Sequence, residues 1–189
     1  MKFSNFYLLE ESGNFYHGSL YSFNKFDMNK IGTGDGLNKY GFGLYFAQNY
    51  ELAEYYAREN FLPKSQKNAG MNMYEVKLNG LEDFYHWDEL IPEELYFKIA
   101  DRLEIINFKE DAKRMRDEFE GYNETYTMNQ TYDILRSTVG SDKEATEFLN
   151  NLGVNGTISN DIQGRGKIFV AFNDNLIKII KTWNLKDKI

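Results

Sequence analysis

Cysteine is absent from the 189 residues, which excludes disulfides, thiolate metal sites and a cysteine nucleophile. Histidine occurs twice, as His17 and His86, too seldom for a histidine-rich metal centre. The chain has no G-x-S-x-G nucleophile elbow and no phosphate-cradling G-x-x-x-x-G-K-[ST]. No G-x-G-x-x-G opens a helix with the acid that dinucleotide binding requires. No apolar run approaches the roughly 18 residues needed to span a bilayer. The opening MKFSNFYLLEES also lacks the apolar core and small-residue cleavage site of a secretory signal. Lys and Arg number 22 against 29 Asp and Glu, a net charge of −7. That argues against general nucleic-acid binding, which depends on cationic surface, and leaves open one local basic groove. A soluble, cytoplasmic protein without membrane association is expected.

A chain of this length favours a single domain, residues 1–189. Aromatic residues make up 16% of it, and most of them must serve packing. NFYHG (14–18) reads as a short strand ending at glycine, and IGTGDGLNKYG (31–41) as a glycine-rich loop, where GTGDG is either a plain turn or a phosphate-type loop. GFGLYFA (41–47) reads as a strand, although glycine weakens a strand and usually marks close approach by another backbone or a ligand. Asn49 can cap a helix on which Leu52, Ala53, Tyr56 and Ala57 share a face, ended by Pro63 and SQKNAG. MYEVKLNG (73–80) alternates as a strand does.

Charged and apolar residues interleave at helical spacing from 92 to 120, which predicts a solvated helical segment. TMNQTYDILRSTVG continues as a helix, and Ser141 with Glu144 forms a capping box for another, stopped by Gly153. VNGTIS, KIFVAF and NLIKII read as strands, the first two joined by the polar loop NDIQGRG. Strands at both ends with helices between them, and no regular βαβ alternation, predict an α+β fold.

Few residues suggest chemistry. His86, in DFYHWDE, reads as a packed or surface histidine. His17 stands at a strand end before Gly18, which admits a ligand to the backbone amide, and Ser19, which supplies a hydroxyl. Alone, HGS is a common tripeptide, and a buried structural histidine is the favoured reading of His17. In order along the chain, however, FYHGS, FNKFDMNKIGTGDG, YGFGLYFA and AEYYA resemble the NAD-binding core of ADP-ribosyltransferases of the diphtheria-toxin and poly(ADP-ribose) polymerase class. The likeness is closest to the branch found in phage and mobile-element polyvalent proteins. It extends through YDILRSTVGSDKEATEFLNNLGVNGTIS and IFVAFNDNLIKI, over residues 14–181.

The resemblance implies two small, mainly antiparallel sheets around an NAD cleft, with a helical insertion near 85–140. It assigns the adenosine ribose of NAD to His17 and the nicotinamide carboxamide to the backbone of Gly18. Ser19 would add a hydroxyl contact, and Tyr45 and Tyr56 would sandwich the nicotinamide ring. Gly43, Phe46 and Ala53 complete the cofactor-binding set, and Gly41 and Gly43 would let the backbone run close to a flat ligand. Two positions depart from the polymerases. Ala53 replaces a carboxamide-binding serine, and Ile168 stands where the catalytic Glu of a His-Tyr-Glu set would be. No acid lies between Gln163 and Asn173. Gln163, Arg165 and Lys167 are the nearest polar side chains, and a flexible loop is the competing account of all three.

The implied activity is transfer of one ADP-ribose from NAD to a macromolecular acceptor, protein more readily than nucleic acid, in the cytoplasm of the producing or an infected cell. NAD hydrolysis and an inactive NAD- or ADP-ribose-binding module are the alternatives. No metal is implied.

Overall fold

A computed structural model describes residues 13–31, 38–58 and 71–185. GTGDG, Pro63 and SQKNAG lie outside the described residues. The first strand, β1 (Phe15–Ser19), buries Phe15, and His17 and Ser19 follow on the same face by strand alternation. β2 (Leu44–Ala47) is shorter than GFGLYFA, because Gly41 takes a positive φ of 108° in the turn before it. The cap expected at Asn49 is present: its Oδ1 accepts from the Leu52 N–H at 2.9 Å and opens α1 (Tyr50–Arg58). Leu52, Ala53 and Ala57 are buried as expected, but Tyr56 falls off their face and is 44% exposed.

β3 (Asn72–Leu78) is followed by β4 (Phe84–His86), a three-residue strand at the start of the expected helical insertion near 85–140. The segment 92–120 is two helices, α2 (Glu93–Ile105) and α3 (Lys109–Tyr122), broken at Asn107, whose φ is +75°. The two helices are not equally solvated. Five side chains of α2 are buried (Leu95, Tyr96, Ile99, Ala100 and Leu103), against Ala112 and Met115 in α3. Each fully buried Leu or Ile contributes about 1.5–3 kcal/mol. An exposed i,i+4 pair such as Glu94–Lys98 contributes about 0.3–0.5 kcal/mol, so packing and not charge holds α2.

α4 (Met128–Val139) begins at a full capping box between Thr127 and Gln130. In α5 (Asp142–Asn151) the Ser141 Oγ accepts from the Glu144 N–H at 3.2 Å, and Gly153 follows the helix at φ +90°. β5 (Gly156–Asn160), β6 (Lys167–Ala171) and β7 (Ile177–Asn184) end the described chain.

The seven strands form one sheet in the order β4-β5-β6-β2-β1-β3-β7, antiparallel except for the parallel pair β4–β5. The fold is α+β, but the two sheets expected from the resemblance are one. A single registered pair, Tyr16 with Ala47, joins the half β4-β5-β6-β2 to the half β1-β3-β7. β1 and β3, by comparison, register over five pairs from Phe15–Val76 to Ser19–Asn72. One rung is enough to make the sheet continuous and too little to close it. One face packs Leu52, Ala53 and Ala57 of α1, with residues of α2–α5, against Ala47, Met73, Ile168 and Val170. The other carries Phe15, Phe26, Phe46, Tyr74, Ile158 and Phe169.

Candidate active site

The seam between β1 and β2 dictates where main-chain groups point. Gln48 donates its N–H to the Lys167 carbonyl of β6 at 2.9 Å. By strand alternation Ala47 and Tyr45 then turn their N–H and C=O toward β1, and Tyr16 and Gly18 turn theirs toward β2. Tyr16 meets Ala47, and the ladder stops there. The next rung would join Gly18 to Tyr45. Instead the Tyr45 carbonyl bonds the Nδ1 of His17 at 2.8 Å. By the same alternation the Gly18 N–H and C=O are directed at the β2 side of the seam, where Gly18 has no registered partner.

A carbonyl only accepts, so Nδ1 of His17 carries the proton and Nε2 is left as an acceptor. The imidazole is surrounded by rings, with centroids at 5.1 Å for Phe26, 5.7 Å for Phe46 and 6.2 Å for Tyr74. Burial among them lowers the His17 pKa from its ordinary value, and the bond to Tyr45 opposes this in part. His17 is therefore neutral at pH 7. His86 is elsewhere, half-buried on β4 with Nδ1 4.0 Å from Glu89.

The glycines have reasons of their own. A Cβ on Gly18 would lie 2.5 Å from the Ala57 Cβ and 2.7 Å from the Ala53 carbonyl oxygen, so glycine lets α1 pack onto β1. A Cβ on Gly43 would meet Val170 Cγ1 at 2.5 Å and the Ala171 oxygen at 2.7 Å, across the β2–β6 contact. The close approach anticipated for a ligand is made by β6 itself. Ala53 is buried beside Gly18, and Ser19 Oγ accepts from the Tyr21 N–H at 3.1 Å.

The Tyr45 hydroxyl donates to the Gly41 carbonyl at 2.9 Å and accepts from the Tyr40 N–H at 3.0 Å. Its half-buried ring braces the turn before β2, and burial raises its pKa. Ile168, 6% exposed, registers with Ala47 of β2 and Ser159 of β5. His17, Tyr45 and Ile168 thus stand on the three adjacent strands β1, β2 and β6. Their side chains divide between the faces: Tyr45 and Ile168 on the α1 side, His17 with Phe46 on the other. Tyr56 is on α1, and its hydroxyl donates to Asp161 at 3.1 Å.

Asp161 was not singled out from the sequence. It lies two residues before the acid-free stretch, is 3% exposed, and is saturated with donors. Oδ1 accepts from Tyr56 and from Arg165 Nη2 at 3.0 Å, while Oδ2 accepts from Arg165 Nε at 2.8 Å and the Gln163 N–H at 3.0 Å. The Arg165 guanidinium beside it holds its carboxyl at about 2. The Arg165 guanidinium carbon also lies over the Tyr55 ring, 3.8 Å from its centroid. The polar connector is therefore a tied turn rather than a flexible loop. Its sequence signal was the acid–arginine spacing of Asp161 and Arg165 around Gly164, whose φ is +69°.

A split sheet bounded by a histidine, a glycine backbone and a tyrosine helix is the arrangement expected of an ADP-ribosyl-transferring domain. The family model for ADP-ribosyltransferases in polyvalent proteins matches residues 11–185, and the chain belongs to that family. Comparison with curated proteins and with solved structures gives no match. Among the described residues no helix is long and apolar enough to cross a membrane, and no group of three or more His, Cys, Asp or Glu is placed to hold a metal ion.

Proposed function

We propose that the protein, acting as one domain, transfers a single ADP-ribose from NAD to a macromolecular acceptor and releases nicotinamide. The observation that carries this reading is the seam itself, where the β1–β2 register stops at Tyr16–Ala47 and strand alternation directs the Gly18 N–H and C=O to that same edge. A primary carboxamide offers the complementary acceptor and donor, so the residues fit NAD. Two such neutral bonds contribute about 1 kcal/mol net each. His17, protonated on Nδ1, accepts through Nε2 from a hydroxyl of the adenosine ribose, with Ser19 beside it. Tyr45 and Tyr56 wall the nicotinamide, while Gly43, Phe46 and Ala53 are buried and act only through the packing of the strands and helix behind it.

The bond between C1′ of the nicotinamide ribose and the ring nitrogen breaks, and its electron pair leaves with nicotinamide. The acceptor's nucleophile bonds C1′ and gives its proton to solvent. The contribution of the chain is orientation and complementarity to the developing cation. Ile168 has no proton-accepting group with which to activate a hydroxyl of ADP-ribose, which supports single transfer rather than elongation. We place the reaction in the cytoplasm, on an acceptor more readily protein than nucleic acid.

The same isoleucine favours a second reading, an NAD- or ADP-ribose-binding module without turnover. Labelled NAD added to a cell lysate with the protein tests both. Label removed by protease supports transfer to protein, and label removed by nuclease moves the acceptor to nucleic acid. Nicotinamide release from NAD alone identifies a hydrolase. Tight binding with neither label nor release leaves the module.

A further inference from the structure

The β5–β6 turn is clamped to α1 at both ends of the helix. Asn49, the N-cap residue, donates from Nδ2 to the Arg165 carbonyl at 2.8 Å. In the last turn of α1, Tyr56 donates to Asp161 at 3.1 Å. An aspartate needed only for the turn would do its work at the surface, where accepting from the Gln163 and Arg165 N–H groups costs no desolvation. Asp161 is instead 3% exposed, and burying a carboxylate is costly unless its lone pairs are filled. Arg165 fills several of them, and Tyr56 is the partner from outside the turn. The same guanidinium sits 3.8 Å from the Tyr55 centroid and 5.7 Å from that of Tyr56. One tyrosine, an arginine and a buried carboxylate thus surround the Tyr56 ring, which is 44% exposed.

We infer that Asp161 is a positioning residue that holds the Tyr56 ring in place as a wall of the nicotinamide slot. The inference rests on the NAD reading proposed above. A hydroxyl bond to a fixed carboxylate limits rotation of the ring, so the slot is formed before the ligand arrives and ordering cost is avoided on binding.

Calorimetric affinities for NAD and for ADP-ribose, which lacks nicotinamide, test this. Tyr56→Phe keeps the ring and leaves the Asp161–Arg165 pair intact. Asp161→Asn keeps an acceptor for the turn and loses the charge. Each is expected to weaken NAD binding about tenfold and ADP-ribose less than about twofold, and the double variant to be no weaker than the worse single one, since both remove one coupling. Asp161→Glu is expected to recover part of the NAD affinity. Equal losses for both ligands, or no loss in Tyr56→Phe, overturn the inference. If Asp161→Asn does not fold, Tyr56→Phe alone decides. Tyr45→Ala separates the two levels. Should it weaken NAD selectively while Tyr56→Phe does not, positioning by Asp161 fails and the NAD site stands. A wild-type protein that binds neither ligand overturns both.

Discussion

The imidazole of His17 bonds the main-chain carbonyl of Tyr45 at 2.8 Å, in the place where Gly18 would have continued the ladder. A side chain closes one half of a missing rung, and Gly18 is left without a registered partner on β2.

This bond makes His17 sensitive to pH in a definite direction. Its folded pKa lies below the ordinary 6.5, so between these values the unfolded chain binds more protons than the folded one. Stability is full above pH 6.5 and declines as the pH falls toward the folded pKa. Urea unfolding at pH 7.5 and pH 5 should show that decline in the wild type and a flatter profile in His17→Gln. NAD affinity should fall only below that range, as His17 of the folded protein itself takes up a proton and loses the Nε2 acceptor. An affinity in His17→Ala equal to that of the wild type would take His17 out of the ribose contact.

Glycine substitutions should divide by sign. Gly18→Ala forces a Cβ to 2.7 Å from the Ala53 carbonyl oxygen, a backbone atom that cannot rotate away, and overpacking of this kind costs about 1–3 kcal/mol. Gly121→Ala, inside α3 with nothing within 4 Å, should instead stabilise the protein by about 0.5–1 kcal/mol. Denaturant midpoints of the two variants should move in opposite directions, and NAD affinity should change in Gly18→Ala alone.

Ile168 predicts the product. One ADP-ribose per acceptor site should appear as a discrete mass shift, with no ladder on a gel. Ile168→Glu places a carboxylate on a side chain 6% exposed and packed with the α1 face, at a cost of several kcal/mol if left unpaired. A marked drop in melting temperature is the expected result. Polymer from the wild-type protein would mean that an acid elsewhere activates the acceptor hydroxyl.

Asp161 predicts an acid limit. Its pKa is lowered from 3.8 to about 2, so its contribution is present above the unfolded value and lost as the pH falls through the folded one. The shift corresponds to roughly 2 kcal/mol. Wild-type stability should therefore decline between about pH 4 and pH 2 more steeply than that of Asp161→Asn. Parallel profiles would show that the charge adds nothing.

Elements with a strong local signal were legible in the sequence: the Asn49 cap, the Ser141–Glu144 start of α5 and its stop at Gly153, the alternating strand β3 and the apolar strand β6. β4 was not, because three residues are too few for a period and its strand character comes from its partner β5. Burial of α2 was hidden by exposed charges interleaved with its apolar side chains. The joining of two expected sheets depends on one rung, Tyr16–Ala47, which no pattern encodes. At the site, HGS and GFGLYFA were visible by their order along the chain, whereas the role of each glycine was set by neighbours distant in sequence. Asp161 lay in a stretch whose polarity concealed how completely its oxygens are occupied.

The strand order also bears on synthesis. β2 pairs with β6 and β3 with β7, so both flanks of the cleft are completed by strands from the last quarter of the described chain. A ribosome adding about 5–20 residues per second delivers His17, Tyr45 and Tyr56 several seconds before Ala171 leaves the exit tunnel. Throughout that interval β2 lacks a neighbour on one side, and the turn that fixes Tyr56 does not yet exist. A nascent chain that has not reached β6 and β7 therefore lacks the assembled site of the proposed reaction, so any such activity waits, by topology alone, until translation has passed these strands.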